Sequence, residues 1–293
     1  MKRNLLTLLC MMCSLAASSQ SGGFPFGIIA YKDLEMKTYP GDTSAGAVVL
    51  NEYGHASIND SQKLIFEYHV KIKIIKPGGQ RKGNFQIRLN KNDMDEERWI
   101  SLQASTFNLR EDHSIQVNRF APDQVFIEKT NKYASIVKFA LPEVKVGTVI
   151  EVQYVTESPF LFQFHPWHFQ EDIPKIHTEY WCKIPGNWIY NITLRGFQKL
   201  SKNESDVVGD CFQPSGTSGR SSCLLTKYAM DNVPAFREEK FMTARENFLS
   251  TVYFELSELR RFDGTKSVFA EEWKDVDNKL RAHENFGQKI RKA

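Results

Sequence analysis

His165 and His168 form a His-x-x-His pair. Two imidazoles at this spacing could share a metal ion, given a third ligand and supporting hydrogen bonds. Glu171 and Asp172 follow closely and could supply a carboxylate. The Cys or His partners of a structural zinc site are not nearby, so the pattern favours a rigid aromatic loop packed over a sheet edge. The same stretch, Phe160 to Phe169, is the densest aromatic run of the chain. On an exposed loop, Phe164, Trp167 and Phe169 would stack on a sugar ring or grip a partner protein. Aromatic-rich segments are more often core, which is the competing expectation.

Cys182 and His177 are the other nucleophile-and-base candidates. A reactive thiol needs a helix N-terminus or an adjacent cation to lower its pKa. Cys182 instead lies in the strand-like run Tyr180 to Ile184. An offset of five puts His177 on the opposite face of that strand, so Cys182 is expected as a small buried hydrophobe. The acidic groups Asp93, Asp95, Glu96, Glu97 and Glu238, Glu239 are sequence neighbours. Adjacency on a loop does not create the cleft-spanning carboxylate pair of glycoside hydrolysis. Lys71, Lys73, Lys76, Arg81 and Lys82 read as the polar face of one strand and its turn. There is no P-loop, no His-Glu-x-x-His and no Gly-x-Ser-x-Gly, and no cofactor is implied.

The elements that must position these residues are strands. Leu64, Phe66, Tyr68, Val70, Ile72 and Ile74 form one face of a strand, with Glu67, His69, Lys71 and Lys73 on the other, up to the Pro77-Gly78-Gly79 turn. That period of two suits a half-buried antiparallel strand. It recurs at Ile100 to Ala104, Tyr133 to Leu141, Ile150 to Tyr154 and Trp188 to Leu194, and alternation persists to Leu256. Turn-forming residues such as Pro185-Gly186-Asn187 separate the runs. The expected fold is all-β, an antiparallel sandwich of two stacked sheets or an open barrel. Missing helical crossovers argue against a parallel α/β sheet. A helical turn is expected at Asp33 to Met36. A short C-terminal helix is expected from Phe269, with Trp273, Val276 and Leu280 on one face and Gly287 as its stop. So short a helix needs a partner surface.

Lys2 and Arg3 precede an uncharged run to Ala17 and then small residues, the layout of a cleavable secretory signal over 1–20. No segment is long and apolar enough to span a membrane. The formal net charge of +3 falls by Lys2 and Arg3 to +1 once the leader is removed, which gives no case for nucleic acid. Of five cysteines, Cys10 and Cys13 leave with the leader. Cys211 and Cys223 flank a Pro-Ser-Gly-Thr-Ser-Gly turn, and export makes a bridge between them chemically reasonable, although spacing alone does not establish it.

Lys32-Asp33-Leu34-Glu35 followed by Ala45 to Leu50, and then Leu141 to Glu151, resemble domain-of-unknown-function family 3857. Ser158-Pro159, Trp167 to Gln170 and Asp172-Ile173-Pro174 continue the likeness in order. The resemblance implies a β-rich N-terminal module of an exported bacterial protein over residues 24–233. It further implies a connecting segment over 234–266 and the first helices of a transglutaminase-like core over 267–293. Pro234 to Glu239, Trp273 to Val276 and Phe286-Gly287 carry that second part. The core's catalytic Cys, His and Asp match nothing here, so no catalytic residue is carried over. The expected role is a non-catalytic scaffold or recognition module in the periplasm or cell envelope, whose partner is a downstream core, another envelope protein or a glycan. A stand-alone carbohydrate-binding sandwich and, less favoured, a metal-dependent enzyme at His165 and His168 are the alternatives.

Overall fold

The structure, a computed structural model, describes residues 22–269 and 273–282. The expected signal, the Phe286-Gly287 match and the Gly287 stop lie outside the described residues. In chain order the elements are α1 (Tyr31–Glu35), β1 (Ala47–Ile58), β2 (Leu64–Ile74), β3 (Asn84–Asn90), β4 (Arg98–Leu109) and β5 (Ile115–Arg119). Then come β6 (Phe126–Asn131), β7 (Ala134–Ala140), β8 (Val149–Ser158), β9 (Trp167–His168), β10 (Lys175–Pro185) and β11 (Trp188–Arg195). The last are β12 (Lys202–Phe212), β13 (Ser221–Val233), β14 (Thr251–Arg260), β15 (Lys266–Val268) and α2 (Trp273–Ala282).

The all-β layered expectation holds, and the barrel alternative does not. One eight-stranded sheet runs β12-β13-β10-β1-β2-β8-β4-β5. Its covering layer is divided into two smaller sheets. One joins β11, β14, β15 and β9; the other runs β3-β7-β6. Strand β2 shows why two covers are needed. Its inward residues Leu64 and Phe66 sit in one core with Phe164, Trp167, Val252 and Phe254. Val70, Ile72 and Ile74 on the same face sit in a second core with Ile87, Val137 and Phe139. Tyr68 and Tyr154 pack against both. On the opposite face, α1 and the N-terminal segment cover Val48, Leu50 and Val149.

Two features depart from expectation. First, β1 pairs β10 in parallel, with Glu52 opposite Thr178 and Ala56 opposite Cys182. The strands between them, rather than a helical crossover, return the chain to the correct end, so one parallel pair sits in a sheet that is otherwise antiparallel and not of the α/β kind. Second, residues 234–266 contribute a strand to the packed interior. They contain β14, whose Val252, Phe254 and Leu256 are buried in the first core and which pairs β11 from Trp188–Leu259 to Arg195–Thr251.

Candidate functional site: an interior ion node and an open aromatic recess

The aromatic run is a wedge between the sheets. Phe164 and Phe169 are 0% exposed and Trp167 3%. Trp167 stacks on Tyr180 at 5.1 Å and 6°, and its Nε1–H donates to Thr178 Oγ1 at 3.0 Å. Its ring lies where a side chain at residue 54 would be: a Cβ on Gly54 would come within 2.2 Å of it. The expectation that Phe164, Trp167 and Phe169 offer a surface to a sugar is therefore corrected. Phe164 packs on Tyr190 and Phe254, Trp167 on Tyr180, and Phe169 is wholly buried in the same core, so none is open to stack a ligand.

The two histidines are likewise engaged within the protein. His165 stacks on Phe66 at 3.5 Å and 7°, and its Nδ1 meets the Pro166 carbonyl at 2.8 Å. Burial pushes its pKa down to about 4, so it is neutral at ordinary pH. His168 Nδ1 pairs with Thr251 Oγ1 at 3.0 Å. Among the described residues no group of three or more His, Cys, Asp or Glu side chains could hold a metal. The His165–His168 metal expectation therefore lacks its third ligand; Glu171 turns to Lys175 and Asp172 to Arg81 and Lys82.

What the wedge does cover is an ion node that alternation did not reveal. Strand β1 carries a bulge between Val49 and Asn51. Before it, Ala47 and Val49 lie opposite Ile74 and Ile72; after it, Glu52 lies opposite Val70 and Gly54 opposite Tyr68. One extra residue thus reverses the parity of the strand and turns Glu52 inward. Glu52 Oε2 accepts from Lys175 Nζ at 2.6 Å and Thr178 Oγ1 at 2.7 Å, and Oε1 accepts from Tyr68 at 2.9 Å. Lys175 also donates to the His168 carbonyl at 3.0 Å and to Glu171 at 3.2 Å.

The node's electrostatics suit it to holding sheets together. Burial works against the charge of Lys175, yet Glu171 and Glu52 outweigh it and hold its pKa above the ordinary lysine value. Burial also opposes ionisation of Glu171, but Lys175 and Lys82 prevail and its carboxyl stays below the usual range. At Glu52 burial wins over Lys175, and the pKa is raised. A lysine fixed as ammonium is a poor nucleophile or base. Cys182 is buried and its thiol is pushed up to about 12, chiefly by burial, so it remains a protonated packing group. Cys211 and Cys223 form the expected disulfide, with Cα atoms 5.8 Å apart across the β12–β13 hairpin.

Outside the wedge the molecule opens. Phe236, Phe241, Met242 and Phe248 from the segment before β14 join Phe197 from the β11–β12 connection around a recess of about 510 Å³. Phe197 is 80% exposed and Phe241 is fully exposed. Phe197 and Phe248 stack at 6.4 Å, and the Arg245 guanidinium lies 5.5 Å from the Phe236 ring centre. Arg237, Glu239 and Lys240 line the same recess. An apolar floor with charged neighbours is the composition of a partner-binding surface. The sequence reading missed it because Phe236, Phe241 and Phe248 have no strand or helix period; the surplus of Phe in a segment full of charges was its available signal.

No protein-family model matches the sequence, and no curated protein matches it. Among solved structures, the chain is similar to a presumed protease from Parabacteroides distasonis, with a TM-score of 0.52 and 12% identity. The match covers 72% of this chain and 40% of that one. An M1 zinc metallopeptidase from Deinococcus radiodurans aligns at a TM-score of 0.32 and 11% identity, over 78% of this chain and 46% of that one. At these identities the first likeness is one of fold. The chain spans less than half the length of either protein. Among the described residues, no helix is long and apolar enough to cross a membrane.

Proposed function

We propose that this chain is a non-catalytic scaffold and recognition module of an exported bacterial protein, and that it positions a transglutaminase-like core in the cell envelope. The observation that carries the reading is the recess of Phe197, Phe236, Phe241, Met242 and Phe248. It stands on the segment that resembles the family's approach to its core, and its exposed rings are what a docking surface supplies. Two further facts support it. The Parabacteroides distasonis protein, described as a presumed protease, carries a similar fold over 40% of its length. The ionisable groups of the node are bound to one another rather than aimed at a cleft.

A hydrophobic-dye titration tests the surface. The wild-type chain should give saturable fluorescence enhancement, and Phe197→Ser with Phe241→Ser should reduce it several-fold while near-ultraviolet circular dichroism is unchanged. Dye binding that survives both substitutions in a folded variant would remove the recess as the docking surface.

A further inference from the structure

The outer face of the eight-stranded sheet carries a cluster that neither the node nor the recess uses. Glu151 is 0% exposed, yet it faces away from both cores. His69 Nε2 pairs with Glu151 Oε1 at 2.8 Å, and Lys71 Nζ stands 3.4 Å from the same oxygen. Residues 22–28 form neither helix nor strand and lie across these groups.

The contacts are those of a receptor with a peptide. Gly27 N–H donates to Glu151 Oε2 at 2.8 Å, and Lys71 Nζ donates to the Ile28 carbonyl at 2.6 Å. Both are charged side chains reading main-chain atoms, independent of sequence. Selectivity comes from the rings. Phe24 stacks on His69 at 3.9 Å and 29°, with Lys71 Nζ 4.7 Å from its centre, and Phe26 sits 5.8 Å from His69. Gly22 and Gly23 rest on Tyr53, where added Cβ atoms would fall 2.1 Å from its hydroxyl and 2.9 Å from its ring. Gly27 adopts φ +83°, a conformation that glycine takes without strain. Beyond Phe26 and Gly27 the groove continues as a recess of about 860 Å³ lined by Gln103, Ser105, Val117 and Arg119.

We propose that this face is a peptide-binding groove, selective for a Gly-Gly-Phe-x-Phe-Gly segment that turns at its glycines, which the chain fills with its own residues 22–27 and opens to the same motif in trans. The segment is separable because its two rings lie on the sheet's outer face and in none of its packed interiors. Phe24 and Phe26 belong to none of the three cores, and Pro25, Gly27 and Ile28 are exposed. The groove walls, by contrast, are the central strands β2 and β8. A bound segment of this kind opens locally without unfolding its support. Peptide offered in trans competes against the tethered copy at its high effective concentration.

The test uses the full chain carrying Phe24→Ala and Phe26→Ala, and a fluorescein-labelled peptide of residues 21–30 read by anisotropy. Saturable binding is expected, at least tenfold weaker for a peptide with Phe24→Ala and at least tenfold weaker to the wild-type chain, whose groove is filled. Adding Glu151→Gln to the loosened chain should weaken binding again. No saturable binding up to about 1 mM peptide, the range of weak association, or equal binding of the Phe24→Ala peptide, would overturn the proposal. Hydrogen exchange on the wild-type chain decides independently of the variant's folding. The Gly27 amide should exchange at least about a hundredfold faster than that of Val152, since local opening is easier than sheet opening. Equal protection of the two amides would show that the segment is a fixed part of the sheet's cover and would also overturn it.

Discussion

Replacing Lys175 by Met tests the ion node most sharply. Lys175 is 0% exposed and Glu52 only 2%. The substitution keeps the volume and removes the ammonium that meets Glu52 at 2.6 Å. Glu52 would retain Tyr68 and Thr178 as donors but no cation. Breaking a buried ion pair from one side costs about 3–5 kcal/mol, because an uncompensated charge is left inside. At roughly 2–4 °C per kcal/mol for a chain of this size, melting should fall by about 6–20 °C. Glu52 has its pKa raised by burial, against the pull of Lys175. Without Lys175 that value rises further, so the proton is retained to higher pH. A carboxyl whose folded pKa is raised contributes stability that is lost as pH rises through that value. The cost of Lys175→Met should therefore be smaller at pH 5 than at pH 8. Adding Glu52→Gln removes the stranded charge and keeps one oxygen acceptor, enough for one of the two hydroxyls of Tyr68 and Thr178, so the double variant should be more stable than Lys175→Met alone. Urea unfolding followed by tryptophan fluorescence reads all three. A cost below about 1 kcal/mol, far under the 3–5 kcal/mol expected for such a pair, no dependence on pH, or no rescue by Glu52→Gln would refute the argument.

Other outcomes follow from the same packing. Gly54→Ala should cost about 1–3 kcal/mol by forcing the Trp167 ring from its seat, with a visible change in tryptophan emission; an unchanged unfolding midpoint would contradict the contact. Replacing Cys211 and Cys223 by Ser should cost about 2–4 kcal/mol, as expected for a bridge 12 residues apart, and a reductant should then no longer lower the midpoint. Burial works against the Glu179 charge, but His177 and Lys202 outweigh it and bring its pKa down to about 2. The His177 pKa is raised, first by Glu179 and against burial, with Asp231 adding to it. Glu179 therefore contributes stability present above pH 4.5 and lost as pH falls toward about 2. The His177 contribution is complete below pH 6.5 and is lost as pH rises through its raised value. Glu179→Gln should flatten both limbs of a stability–pH curve, and an unaltered curve would refute the pairing.

How much of this was legible in the sequence varied with how local the cause was. Phe66 to Ile74 announced β2 because apolar side chains alternate there with Glu67, His69, Lys71 and Lys73. The Cys211–Cys223 bridge was within reach because the turn residues between the cysteines fold a hairpin back on itself. Glu52 was not legible. A single bulge reverses strand parity, and its effect depends on which neighbour the strand pairs with. The parallel partner β10 lies far along the chain, so Lys175 gave no local sign that it would meet Glu52. Alternation at Val252, Phe254 and Leu256 was visible, yet a boundary taken from the family resemblance left β14 outside the domain. Trp167 shows the converse limit. Its aromatic neighbours marked it as important, but only the sheets on either side decide between a binding face and a wedge.

In the proposed role, the recess around Phe241 is the surface that meets the core. The most direct measurement places a photo-crosslinking phenylalanine analogue at Phe241 in the native host and identifies the crosslinked peptides by mass spectrometry. Crosslinks to a transglutaminase-like domain are expected, and they should be absent when the analogue sits at exposed Lys129 instead. Crosslinks confined to neighbours such as Phe197 and Phe248 of this same chain would contradict that role.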